Sequence, residues 1–126
     1  MKHIMLVDDE MHVLRIMKLA LEKHGYDIST YSNGQDALDA LHREQPDALI
    51  TDIQMPRMTG EELCKQIEKV FPERNFLIFV LTSRTEVEHR EWSASIPNLR
   101  FLEKPVSMRL LMLELDNYFT QQQNSE

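Results

Sequence analysis

Short apolar runs that break off into polar residues alternate along this chain with segments whose apolar positions repeat every three or four residues. Residues 4–7, 49–52, 76–81 and 99–102 are runs of the first kind and predict buried strands, while residues 26–31 alternate around Ile28 as an edge strand would. Between the strands the period changes to that of a helix. Val13, Ile16, Met17, Ala20 and Leu21 form one stripe, closed by Gly25; Ala37, Leu38 and Leu41 form a second, opened by Ser32-Asn33-Gly34 and ended by Pro46. Thr59 and Glu62 have capping-box spacing, so a third helix is expected from about Gly60 to just before Pro72. Thr85 and Glu88 repeat that spacing ahead of a mostly polar fourth helix. Ser107 caps a fifth, with Leu111, Leu115, Tyr118 and Phe119 on one face.

Five strands alternating with five helices imply an α/β fold, a parallel sheet covered by helices on both faces, because right-handed crossovers leave few other solutions. The 126 residues suit one domain, residues 1–119, followed by a polar tail, residues 120–126, expected to fray. No apolar run approaches the ~20 residues of a membrane span, and no leader-like segment opens the chain, so a cytoplasmic protein is the expectation.

Charge and composition narrow the function. A net charge of −7 opposes a phosphate backbone, so direct nucleic-acid binding is not expected. The single cysteine, Cys64, lies among Leu63 and Ile67 in a helical pattern and reads as core packing rather than redox chemistry. The histidines His3, His12, His24, His42 and His89 lack zinc spacing. None of the three glycines builds a phosphate-cradling loop.

The chemistry gathers at strand ends. Asp8 and Asp9 follow the first strand, Asp52 ends the third, Thr82 follows the fourth and Lys104 the fifth. In an open α/β sheet ligands bind beyond the carboxyl ends of the strands, so all five residues face one crevice. Singly, each has an ordinary structural reading: a solvated helix start, a turn hydroxyl, a surface lysine before proline. Together they are three crowded acids that need a cation. Magnesium suits them, since it takes few carboxylates and completes its shell with water and phosphate oxygen.

With these residues in view, the chain resembles the receiver domains of two-component response regulators. The matching positions are Asp8-Asp9, Asp52 with Met55-Pro56 and Gly60, Thr82, and Lys104-Pro105, and the intervals between them also agree. The resemblance covers residues 2–119. It implies a flavodoxin-like sheet of order 2-1-3-4-5, and Asp52 as acceptor of a phosphoryl group from a histidine kinase or a phosphotransfer protein. It implies Mg2+ held by Asp9, Asp52 and the backbone carbonyl of Gln54, with Asp8 acting through a bound water. Thr82 and Lys104 would contact the phosphoryl oxygens, and Phe101 would turn inward with Thr82, rearranging the face made by helix 4, strand 5 and helix 5. Pro105 is the candidate for a cis or rigid turn. A downstream protein target or fused output domain, and a homodimer through that face, are the further partners implied.

The chain also departs from the family pattern. Ser83 replaces a common alanine, and Ser95-Ile96-Pro97-Asn98 lacks the usual Gly-Ala before the fifth strand. Gln54 and Arg84 stand where phosphoryl lifetime is influenced, and Trp92 is either a partner contact or a half-buried packing residue. Two other readings compete. One is a magnesium-dependent phosphatase of haloacid-dehalogenase type, with Asp8 as nucleophile and Glu10 as acid. The other is a pseudo-receiver that binds partners without being phosphorylated.

Overall fold

Strand and helix follow each other as the periodicity requires: β1 (His3–Val7), α1 (Met11–Lys23), β2 (Asp27–Tyr31), α2 (Gly34–Arg43), β3 (Ala48–Asp52), α3 (Gly60–Val70), β4 (Leu77–Thr82), β5 (Leu99–Glu103) and a C-terminal helix (Met108–Asn124). The computed structural model describes residues 1–83 and 91–124, with side chains as far as 122. The capping pair Thr85 and Glu88, Arg84 and the first part of the fourth helix expected over residues 87–96 lie outside the described residues; of the rest, residues 91–93 are helical and residues 94–96 turn away from the helix.

The strands form one parallel sheet in the order β2-β1-β3-β4-β5, as the resemblance implies. Successive side chains of a strand point to opposite faces, and here each face has its own core. Ile4 and Leu6, Ala48 and Ile50, and Leu77, Phe79 and Leu81 pack against α1 and the C-terminal helix. Met5 and Val7, Leu49, and Ile78 and Val80 pack against α2 and α3. The central strands β3 and β4 are buried along their whole length, which is why they read as continuous apolar runs. Burying each large side chain there contributes roughly 1.5–3 kcal/mol.

Helix ends follow the sequence closely. Asn33 Oδ1 accepts from the Asp36 N–H at 2.8 Å to start α2. Thr59 Oγ1 accepts from the Glu62 N–H, and Glu62 Oε1 from the Thr59 N–H, completing the box that starts α3. Ser107 Oγ accepts from the Leu110 N–H at the start of the C-terminal helix. Gly25, φ 107°, supplies the left-handed turn after α1.

Two expectations are corrected. The buried stripe of α1 is Leu14, Met17 and Leu21; Ile16, expected on the core face, is 60% exposed. Adjacent apolar residues allow two phases for the stripe, and the packing against the sheet selects the other one. The C-terminal helix also runs on to Asn124 instead of fraying at residue 120. The Gln122 amide donates to the Tyr118 hydroxyl at 2.8 Å, so one turn of the polar tail is tied to a buried side chain.

Candidate functional site

β1 and β3 are neighbours in the sheet, and each releases its chain on the same edge. Asp8 and Asp9 follow β1, and Asp52 is the last residue of β3. One carboxylate oxygen from each of the three lies within 4.8 Å of the others. Asp8 and Asp52 are buried and Asp9 is exposed, so the cluster is open on Asp9's side.

Asp52 is held firmly. Its Oδ1 accepts from its neighbour Ile53's N–H at 2.8 Å and lies 2.9 Å from Lys104 Nζ. The loop after it is fixed by Gly60, whose N–H donates to the Ile53 carbonyl at 2.9 Å. A Cβ on Gly60 would fall 2.3 Å from the Asp52 carbonyl oxygen, so only glycine permits this approach. Lys104 itself is positioned from behind: its N–H donates to the Thr82 carbonyl at 2.7 Å, and the peptide to Pro105 is cis.

Asp8 differs from Asp52 in its surroundings. Its Oδ1 accepts from the Glu10 N–H at 3.0 Å, while its Oδ2 is buried without a hydrogen-bond partner among the described residues. Burial raises the Asp8 carboxyl above the ordinary aspartate range, and the charges of Asp52 and Asp9 push the same way, against the Glu10 N–H and Lys104. Lys104 is pulled down by partial burial, but its hydrogen bond to Asp52 and the charges of Asp52, Asp8 and Glu10 outweigh this and hold it above the usual lysine value. An orphaned carboxylate oxygen facing two further acids is the environment a hard cation would relieve.

The remaining predicted positions fall around this centre. Thr82 is buried at the end of β4, paired in register with Glu103. Phe101 is half-buried on β5, its ring 5.8 Å from that of Trp92 in an edge-on arrangement. Gln54 is exposed at the start of the loop after β3. Cys64 is fully buried, and burial pushes its thiol up to about 12, which keeps it from thiolate chemistry.

A family model for the response regulator receiver domain matches residues 4–116. The chain belongs to this family. It is thus a receiver domain of the two-component response regulators, a signalling phosphoacceptor rather than an enzyme, with Asp8, Asp9 and Asp52 as its acidic pocket. That placement overturns the phosphatase alternative built on Asp8 and Glu10.

Among curated relatives, this receiver domain is 32% identical over 108 residues to the alkaline phosphatase synthesis transcriptional regulatory protein PhoP of Bacillus subtilis, covering 86% of this chain and 44% of that protein. It is 31% identical over 112 residues to the response regulator MprA of Mycobacterium leprae, covering 89% and 48%. The chain therefore spans less than half the length of these relatives. Among solved structures, a CheY-like receiver domain protein of Methanospirillum hungatei aligns with a TM-score of 0.90 at 25% identity, covering 100% of this chain and 99% of that one. The chemotaxis response regulator CheY4 of Vibrio cholerae aligns at 0.83 with 26% identity, covering 93% and 98%.

Some features were not legible beforehand. A cavity of about 520 Å³ opens beside the acids, walled by α1 and the residues after β5. The apolar stripe of α1 signals a core-facing helix and carries no separate signal for this cavity. Among the described residues no helix is long and apolar enough to cross a membrane.

Proposed function

We propose that this receiver domain is a phosphorylatable switch, in which Asp52 accepts a phosphoryl group from a phosphohistidine of a histidine kinase or phosphotransfer protein in the cytoplasm. The observation that supports it is the environment of Asp52: a carboxylate at the end of a buried strand, with two acids within 4.8 Å and an ammonium at 2.9 Å.

Asp8, Asp9 and Asp52 would hold Mg2+, with the Gln54 carbonyl as a further oxygen ligand. When bound, the ion neutralises the acids and the incoming phosphoryl oxygens. Among the described residues the Ile53 N–H and Lys104 Nζ both meet Asp52 Oδ1, so Oδ2 is the oxygen that would attack phosphorus. The P–N bond to the donor imidazole breaks as the new P–O bond forms, and the imidazole leaves with the electron pair. Lys104 supplies positive charge to the phosphoryl oxygens, and the Thr82 hydroxyl donates to them. Drawing Thr82 toward the phosphoryl group opens room for Phe101 to turn inward, a population shift that needs the phosphoryl group to favour one arrangement. The output is read by a protein target, by a fused output domain of the kind that a transcriptional regulator such as PhoP would carry, or by a second copy through the face containing β5 and the C-terminal helix.

The test is phosphorylation by acetyl phosphate with Mg2+, followed by intact mass. A gain of one phosphoryl group, absent in Asp52→Asn, is expected. A gain that persists in Asp52→Asn refutes the assignment, and no gain points to a module that acts unphosphorylated.

A further inference from the structure

Arg74, in the loop between α3 and β4, carries a guanidinium that the fold buries almost completely, its side chain being 2% exposed. Nη1 donates to Glu68 at 2.8 Å, Nη2 donates to the Pro97 carbonyl, and the group lies over the Phe76 ring, 5.6 Å from its centroid. Its Nε meets no acceptor among the described residues. A buried ion pair is often no more stabilising than well-packed apolar groups, so what this one contributes is placement. The part placed is the turn before β5. Asn98 secures the same turn from two other sides, its side-chain amide donating to the Tyr118 hydroxyl at 3.0 Å and its carbonyl accepting from the Ile78 N–H at 3.0 Å. Ile96 is buried, and its N–H donates to the Ser93 carbonyl at 2.9 Å, which joins the turn to the helical residues 91–93 and so to Trp92.

Trp92 meets the Phe101 ring edge-on, with centroids 5.8 Å apart. An inward turn of Phe101 parts the two rings, so the contact opposes that turn as long as Trp92 is held in place. Resting on the reading of Asp52 as the acceptor and Phe101 as the switch, we infer that Arg74 is a positioning residue that holds Trp92 against Phe101 as a latch, keeping the unphosphorylated domain in its resting arrangement. Arg74 precedes β4 and Asp52 ends β3, so the two stand at opposite ends of a parallel sheet. Arg74 therefore acts on phosphoryl gain through the equilibrium between arrangements, not through the acidic pocket. The coupling is reciprocal: whatever favours the inward arrangement favours the phosphoryl group, and the latch opposes both. Ser95-Ile96-Pro97-Asn98, where the chain departs from the family pattern, is then the seat of the latch.

Trp92 is the chain's one tryptophan, so its indole N–H gives a single signal of its kind in a nitrogen-correlated NMR spectrum of the full chain. In the wild type this signal should take one position with Mg2+ alone and a second with Mg2+ and beryllium fluoride, which mimics a phosphoryl group on a carboxylate. Arg74→Met with Mg2+ alone should move it toward the second position, the mark of an equilibrium shifted about tenfold. The initial rate of phosphoryl gain from acetyl phosphate, followed by intact mass, should rise by up to about the same factor. A loss of structural support alone would lower stability and leave that rate level or slower. Glu68→Gln keeps the bond from Arg74 to Pro97 and should change neither readout. Trp92→Ala should raise the rate as Arg74→Met does, and the double variant no further, because both remove one latch. A wild-type signal that beryllium fluoride leaves in place, an Arg74→Met signal that stays at the first position, or a double variant faster than either single one overturns this inference while leaving the Asp52 assignment standing. Trp92→Ala keeps the test open should Arg74→Met not fold, since a rate no faster than wild type also overturns the latch. No phosphoryl gain in the wild type overturns the assignment itself.

Discussion

Lys104 Nζ lies 2.9 Å from Asp52 Oδ1, joining the end of β5 to the end of β3 across the intervening strand β4. The carboxylate is 4% exposed and the ammonium 30%, so the pair is shielded at one end and hydrated at the other. Removing one partner of a buried pair strands the other, at about 3–5 kcal/mol when both are fully buried. Here solvent at the lysine end reduces that, and Lys104→Met should lower metal-free stability by about 1–3 kcal/mol. Mg2+ should restore most of the loss by replacing the missing positive charge. Thermal melts in chelator and in millimolar Mg2+ measure both effects; a loss that Mg2+ leaves untouched means that the cation does not sit beside Asp52.

Two substitutions in the loop after Asp52 should act in opposite directions. Arg57 has φ 67°, a left-handed conformation that costs a residue with a Cβ about 1 kcal/mol. Arg57→Gly should therefore stabilise the protein by up to about 1 kcal/mol, less what glycine adds to the entropy of the unfolded chain. Gly60→Ala puts a Cβ 2.3 Å from the Asp52 carbonyl oxygen and 2.7 Å from Ile53 Cα, both backbone atoms that cannot rotate away. A loss of about 2 kcal/mol or more and a slowed phosphoryl gain at Asp52 are expected. Denaturant melts of the two variants settle the contrast, and a Gly60→Ala protein of unchanged stability would mean that this loop is free to shift.

The sequence carried the chemistry better than it carried the surfaces. Asp8, Asp52 and Thr82 could be placed because a strand that ends in a polar residue fixes both where that residue sits and which rim it faces. Ile16 could not. In α1 apolar residues occur on either side of the true stripe, and only packing against Ile4, Leu6 and the C-terminal helix decides the phase. The missing Gly-Ala before β5 has a local answer: Asn98 adopts φ 56°, a conformation asparagine tolerates, and its carbonyl accepts from the Ile78 N–H at 3.0 Å. Arg74 then donates to the Pro97 carbonyl and, at 2.8 Å, to Glu68, a tether between distant segments that no local pattern encodes.

The Tyr26 hydroxyl donates to Asp116, which also lies 2.8 Å from His24 Nε2. Burial raises the Tyr26 phenol, and the bond to Asp116 and its charge raise it further, beyond the ordinary tyrosine value of about 10. A pKa raised on folding adds stability that is complete below the unfolded value and lost as pH climbs through the folded one. Asp116 is the converse: burial opposes the shift, but Tyr26 and His24 outweigh it and lower the carboxyl, so its contribution holds above about pH 4 and fades as the medium becomes more acidic. The tyrosinate absorbance developed by about pH 11 should be the same in wild type and Tyr26→Phe, because Tyr26 has not ionised there. A smaller signal in the variant would show that the phenol titrates freely.

Trp92 packs edge-on to Phe101 with ring centroids 5.8 Å apart, yet its indole N–H is buried with no acceptor among the described residues. Leaving a donor unsatisfied costs about 1–3 kcal/mol, which offsets part of what the ring gains by packing. Trp92→Phe removes the donor and keeps an aromatic ring against Phe101, so its stability should stay within about 1 kcal/mol of wild type. Trp92→Ala loses the packing as well and should fall by about 2 kcal/mol, less than a fully buried ring because this one is half-buried. Trp92 is the chain's one tryptophan, so denaturation has to be followed by circular dichroism rather than by emission. If the phenylalanine variant loses as much as the alanine variant, the N–H has a partner in solution, and the contact with Phe101 carries less of the energy than the geometry assigns to it.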